Sequence, residues 1–193
     1  AKDLDGDGRD EVIFAGFETQ YNSPENYTNT RIAIFGWQNG QFKNLTDQYL
    51  PNGIDHVEAI GDVAFGDFNA DGLVDIYLSG NADMDYTVNT YVLVNQGGRF
   101  SRVNMGPTRW EHGVASGDIN NDGYDDIIVA GYVHPSPFFL GGADGLVKHL
   151  VSDNAAFNSY TTFGSGVAIA DFLGNGSQTV VVVDSALGSI PND

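Results

Sequence analysis

Phe65-Gly66-Asp67-Phe68-Asn69-Ala70-Asp71-Gly72-Leu73-Val74-Asp75-Ile76 is the stretch on which the fold turns. Counting from Asp67, side-chain oxygens stand at positions 1, 3 and 5, glycine at position 6 and an acid at position 9. The spacing recurs without gaps from Asp3 (Asp5, Asp7, Gly8, Glu11) and from Asp118 (Asn120, Asp122, Gly123, Asp126). A degraded copy begins at Asp171, with Leu173 at position 3, Asn175 at 5, Gly176 at 6 and Thr179 at 9. The starts lie 64, 51 and 53 residues apart. That period is too long for a β-helix repeat and suits one propeller blade of ~40–50 residues with its loops.

The likeness extends to both sides of each loop. Val63-Ala64-Phe65-Gly66, Val114-Ala115-Ser116-Gly117 and Val167-Ala168-Ile169-Ala170 come before it. Val12 to Gly16, Ile76 to Gly80, Ile127 to Gly131 and Val180 to Val183 follow. Short β-branched and aromatic runs ended by glycine read as strands. A third strand, a turn and a fourth strand come next: Arg31–Ile34, Gln38-Asn39-Gly40 and Phe42 in copy one, then Tyr91–Val94, Gln96-Gly97-Gly98 and Phe100 in copy two. Copy three has Phe138–Leu140, Gly142–Gly145 and Val147. Asn-Gly and Gly-Gly between apolar runs signal hairpins, because both allow positive φ. No stretch has a sustained helical period with caps. The expected fold is all-β, built of four-stranded antiparallel units.

Oxygens at positions 1, 3 and 5 with glycine at 6 wrap a chain around a hard cation, and position 7 adds its carbonyl. An EF-hand needs Glu at position 12. Here position 12 is Phe14, Leu78 or Val129, inside a strand, and the last acid falls at position 9. Three sites for Ca²⁺ are therefore expected: Asp3, Asp5, Asp7, Arg9 and Glu11; Asp67, Asn69, Asp71, Leu73 and Asp75; and Asp118, Asn120, Asp122, Tyr124 and Asp126. The fourth, with only Asp171 and Asn175, is expected to be weak or empty. Mg²⁺ suits such a loop less well, since it demands tight octahedral geometry. Zinc would need Cys or His ligands that the loops lack.

Composition narrows the rest. The 193 residues carry 26 Asp plus Glu and 8 Lys plus Arg, for a formal charge of −18. That balance excludes nucleic-acid binding by phosphate neutralisation and argues against docking on an anionic membrane. A hydrophobic fraction of 41% is too high for an acidic disordered chain. Cysteine is absent, so no disulfide holds the fold. No apolar run reaches the ~18 residues a membrane span needs. The first residues have no apolar signal-peptide core and no initiator Met, which reads as a start partway into a longer chain.

The pattern in Phe65 to Ile76, and again in Gly117 to Ile127, resembles the FG-GAP and VCBS repeat family, the calcium-binding blades of integrin-α-like β-propellers. The resemblance implies a propeller, commonly seven-bladed, at cell surfaces or in secreted proteins. Its members include adhesion receptors, lectins and modules of polysaccharide-degrading enzymes. On this reading the chain is a partial propeller of three to four blades. Blade 1 spans 1–50 without its first strand, blade 2 spans 57–105, blade 3 spans 112–152, and blade 4 spans 163–193 with two strands only. The remainder of the propeller would be its neighbour on both sides.

Segments on the face opposite the acidic loops, among them Asp47 to Glu58 and Asn104 to His112, are long and variable. They carry Tyr86, Trp110, His112, Tyr132, His134 and Tyr160, which suit glycan or protein recognition by ring stacking beside hydrogen-bond acceptors. For any single ring, packing between blades is the more ordinary role. His112 and His134 have no nucleophile motif or metal spacing, so no catalytic role is expected of them. Two functions follow: an extracellular binding or adhesion module, not an enzyme, or the propeller domain of a secreted polysaccharide lyase or hydrolase. Scattered basic residues favour the first.

Overall fold

A computed structural model describes residues 1–16, 30–82, 87–108, 110–131, 137–150 and 164–184. Antiparallel meanders follow one another along the chain. In the first, β1 (Val12–Phe14) pairs with β3 (Ala33–Gln38), and β3 pairs with β4 (Gln41–Asn44). β2 (Thr30–Arg31) pairs separately with β5 (His56–Val57). Next come two four-stranded sheets in sequential order. One holds β6 (Ile60–Gly66), β7 (Asp75–Gly80), β8 (Val88–Asn95) and β9 (Phe100–Thr108). The other holds β10 (Glu111–Gly117), β11 (Asp126–Gly131), β12 (Pro137–Leu140) and β13 (Val147–Leu150). β14 (Gly164–Ala170) pairs with β15 (Thr179–Asp184). These are propeller blades, and the all-β expectation holds.

The second, third and fourth acidic loops each join the first and second strands of their sheet in one constant register. Gly66 faces Asp75 and Gly117 faces Asp126. An isolated bridge between Lys2 and Glu11 repeats that pairing at the first loop. The hairpin turns form as their residues dictate: Asn39 and Gly40 take φ of 55° and 74°, Gly97 and Gly98 take 79° and 85°.

Alternation along the strands gives every sheet two apolar faces. Ile34 with Ile60, Leu78 and Leu93 fills the space between the first and second sheets. Tyr77 with Val92, Ile127 and Phe139 fills that between the second and third. First strands lie side by side, β10 between β6 and β14. There a Cβ on Gly113 would meet Gly166 Cα at 2.9 Å, so only glycine permits the approach. A bulge recurs in the three first strands, leaving Gly61, His112 and Ser165 outside the ladder.

The repeat-equivalent glycines after the second strands now have a cause. A Cβ at Gly80 would meet Thr108 Cγ2 at 2.5 Å, and one at Gly131 would meet the Trp110 carbonyl oxygen at 2.3 Å. Among the described residues nothing lies within 4 Å at Gly16. Gly131→Ala is therefore expected to cost about 2–3 kcal/mol by overpacking, whereas Gly16→Ala should be near neutral. Urea midpoints of the two variants give the comparison; equal midpoints would remove the steric account.

Several local expectations change. The third strand of the first sheet begins at Ala33, because Thr30 and Arg31 turn to pair with β5. Asn104 to His112 is mostly ladder: β9 continues to Thr108 and β10 starts at Glu111. The cross-strand partners of β8 hold that segment extended, despite its Asn, Gly and Pro. Asp47 to Glu58 contains part of a short helix, α1 (Thr46–Tyr49), which four residues of sequence are too few to signal.

Candidate metal centres

All four acidic loops take the same wrap, set by backbone N–H groups. The position-1 carboxylate accepts from the glycine N–H at position 6: Gly8 to Asp3 at 2.9 Å, Gly72 to Asp67 at 2.8 Å, Gly123 to Asp118 at 2.9 Å and Gly176 to Asp171 at 2.7 Å. The position-5 side chain accepts from position 7: Arg9 to Asp7, Leu73 to Asp71, Tyr124 to Asp122 and Ser177 to Asn175. The position-6 glycines have φ between 83° and 93°. That left-handed turn costs glycine nothing and other residues about 1 kcal/mol or more. Position 4 is left-handed too, occupied by Gly6, Ala70, Asn121 and Gly174.

Position 9 sets the first three loops apart from the fourth. Glu11, Asp75 and Asp126 are 2%, 1% and 0% exposed. Each takes an N–H from position 2 of its own loop: Leu4 to Glu11 at 2.9 Å, Phe68 to Asp75 at 3.3 Å and Ile119 to Asp126 at 3.0 Å. Asp75 and Asp126 also accept from the third-strand ends, Asn95 N–H and Gly141 N–H, both at 2.8 Å. Burial pushes the Asp75 carboxyl up to about 6, and the charges of Asp71 and Asp67 add to it. Glu11 and Asp126 rise for the same reasons, burial first and loop carboxylates after.

Asp171 in the fourth loop moves the other way. The Gly176 N–H and further backbone donors hold its carboxyl below the usual value. It is satisfied by its own loop and has no buried acid behind it. In the first loop, by contrast, carboxylate oxygens of Asp3, Asp5 and Glu11 lie within 4.8 Å of one another. Three converging acids, one of them buried, form an all-oxygen set that fits a hard divalent cation. The second and third loops take the same wrap, with the amide oxygens of Asn69 and Asn120 standing where the first has the Asp5 carboxylate.

The deciding observation is this repetition: one wrap, one strand register and one buried acid in successive sheets. A family model for the FG-GAP-like repeat matches residues 3–78 and 67–129. The chain belongs to the FG-GAP-like repeat family. These FG-GAP-like repeats are also similar to cartilage acidic protein 1 of Xenopus tropicalis, at 25% identity over 195 residues. The match covers 94% of this chain and 30% of that protein, so the chain spans less than a third of that relative's length.

Residues that sequence patterns did not single out also reach the FG-GAP-like loops. Tyr49, buried on α1, donates its hydroxyl to Asp5 at 2.9 Å, so the segment after Asp47 starts on the acidic-loop side. Of the aromatic set proposed for the opposite face, Trp110 and His112 are brought together, with ring centroids 6.1 Å apart. They stand at the start of β10, the end of the strand remote from the Asp118 loop. Tyr86, Tyr132, His134 and Tyr160 lie outside the described residues. No helix among the described residues is long and apolar enough to cross a membrane.

Proposed function

We propose that this chain is part of an extracellular, calcium-stabilised β-propeller that recognises a glycan or a protein through the face opposite its acidic loops. The carrying observation is the convergence of Asp3, Asp5 and Glu11 in a wrap that two further loops repeat. Calcium would be held by Asp3, Asp5, Asp7, Glu11 and the Arg9 carbonyl; by Asp67, Asn69, Asp71, Asp75 and the Leu73 carbonyl; and by Asp118, Asn120, Asp122, Asp126 and the Tyr124 carbonyl. The ion would supply charge neutralisation for crowded carboxylates and so hold the first two strands of each blade together. Membership in the repeat family and the number of acidic loops that would need calcium support an extracellular setting, where calcium is plentiful.

Further blades of the same propeller are proposed to flank this segment. Phe14, 58% exposed, occupies the position that Leu78 (0%) and Val129 (5%) fill against a neighbouring sheet. Val181 and Val183 are open on the last strand pair. Repeat equivalence supports another sheet as the occupant of each face.

Calorimetric titration of this chain is expected to give three calcium ions, and Asp118→Ala two. A fourth strong site would refute the reading of the Asp171 loop. For the recognition role, glycan-array screening of the full-length protein with and without calcium is the direct experiment. Calcium-dependent binding without product supports a recognition module; turnover of a bound polysaccharide would favour a lyase or hydrolase instead.

A further inference from the structure

The acidic loops are joined to one another by bonds that recur from blade to blade. Asp75, the last acid of the second loop, takes the Asn95 N–H at 2.8 Å, and the Asn95 amide donates to the Leu4 carbonyl of the first loop at 2.9 Å. Asp126, the last acid of the third loop, takes the Gly141 N–H at 2.8 Å. The next residue, Gly142, donates to the Phe68 carbonyl of the second loop at 3.1 Å. In both cases the buried acid of one loop holds the end of a third strand, and that strand end holds position 2 of the preceding loop.

Asp125 tightens the second junction. Its carboxylate accepts the Asp67 N–H at 2.9 Å, and its own N–H donates to the Asp67 carbonyl at 3.0 Å. Asp67 is position 1 of the second loop, and Asp125 adjoins position 9 of the third. The fit leaves no slack: a Cβ on Gly66 would meet Phe68 Cε1 at 2.6 Å and Asp125 Cβ at 2.9 Å. A Cβ on Gly141 would meet the Asp125 carbonyl oxygen at 2.5 Å.

We propose that neighbouring acidic loops bind calcium cooperatively, with Asp125 as the positioning residue that couples the second loop to the third. The proposal rests on the calcium reading above. Without a cation, each loop's carboxylates repel and the wrap loosens. Binding in the third loop fixes Asp126 and, with it, Asp125 and the Gly141–Gly142 strand end. These in turn hold the backbone of Asp67 and Phe68, so the second loop is ordered before its own ion arrives and loses less entropy on binding. Thermodynamic reciprocity makes the effect equal in both directions.

Terbium, a luminescent oxygen-seeking surrogate for calcium, separates the sites. Tyr124 is position 7 of the third loop, so emission excited through tyrosine and lost in Tyr124→Phe reports that loop. In the full-length protein, Asp71→Ala, which disables the second loop, is expected to raise the terbium half-saturation of the third about fivefold or more. In an Asp125→Ala background the same substitution should shift it by less than about twofold. The charge change at Asp125 is common to both members of that comparison and cancels. If no Tyr124-dependent emission appears, the calcium reading itself fails. If emission appears but Asp71→Ala leaves it unmoved, the loops are independent and cooperativity is overturned. A full shift that survives Asp125→Ala overturns the role of Asp125.

Discussion

Stripping calcium with EDTA is expected to lower the melting temperature of this protein by about 15 °C or more. An ion present at 100 times its dissociation constant stabilises the folded state by about 2.7 kcal/mol per site. Three sites then contribute about 8 kcal/mol, and a domain of this size shifts by about 2–4 °C per kcal/mol. Scanning calorimetry in saturating calcium and in EDTA, with magnesium as a control, measures the difference. A shift under 2 °C would sink the calcium assignment. The loss should also grow with pH. In the metal-free protein the Asp75 carboxyl lies near 6, above its ordinary 3.8, because burial disfavours its charge. Stability from such a group is complete below its unfolded value and falls as pH rises through the folded one. A cation reverses this by favouring the ionised form. The gap between calcium and EDTA curves should therefore widen from about pH 4 to pH 7.

Glu111→Ala is expected to cost about 3–5 kcal/mol and to lower the melting temperature by roughly 10 °C. Glu111 opens β10 in the third sheet, is 1% exposed, and gathers donors from the second. Thr108 donates its hydroxyl to Oε1 at 2.7 Å; Thr90 hydroxyl and Gly80 N–H donate to Oε2 at 3.0 and 3.2 Å, with the Tyr77 hydroxyl at 3.4 Å. Removing the carboxylate deprives the buried Thr108, Thr90 and Tyr77 hydroxyls of this acceptor, leaves the Gly80 N–H only the Thr90 hydroxyl at 3.2 Å, and opens a void between blades. Glu111→Gln should behave oppositely. Its carbonyl oxygen accepts from Thr90 and Gly80, and its amide donates to the Thr108 hydroxyl. Burial holds the native carboxyl above its ordinary 4.5, partly offset by the threonine hydroxyls, the Gly80 N–H and Lys148. Native stability is thus lost as pH rises, and the glutamine variant should match or exceed it at pH 7.5. Thermal melts at pH 5 and 7.5 test both variants. Equal losses in Ala and Gln would mean that the blades need the charge itself.

The acidic loops were legible because their geometry is local. A carboxylate at position 1 reaches the N–H at position 6 over five residues, and glycine there supplies the left-handed turn, so residue type and spacing specify the wrap. Strand order was legible for the same reason: hairpins at Asn39-Gly40 and Gly97-Gly98 close on their neighbours. The recurring bulge at Gly61, His112 and Ser165 was not, because three dissimilar residues occupy it. The extension of β9 through Asn104, Gly106 and Pro107 was hidden too, since pairing with β8 overrides weak local preference.

The amino-acid sequence by itself determined where the four loops lie, which one lacks every acid after its first, and that strands flank each. Tertiary structure decided which carboxylates are buried and what joins one loop to the next. Tyr49 meets Asp5 across 44 residues, Asp67 meets Asp125 across 58, and Leu4 meets Asn95 across 91. Such contacts leave no mark in local periodicity. They arise because successive blades share one register, so stacking their faces carries side chains from distant parts of the chain to the same edge.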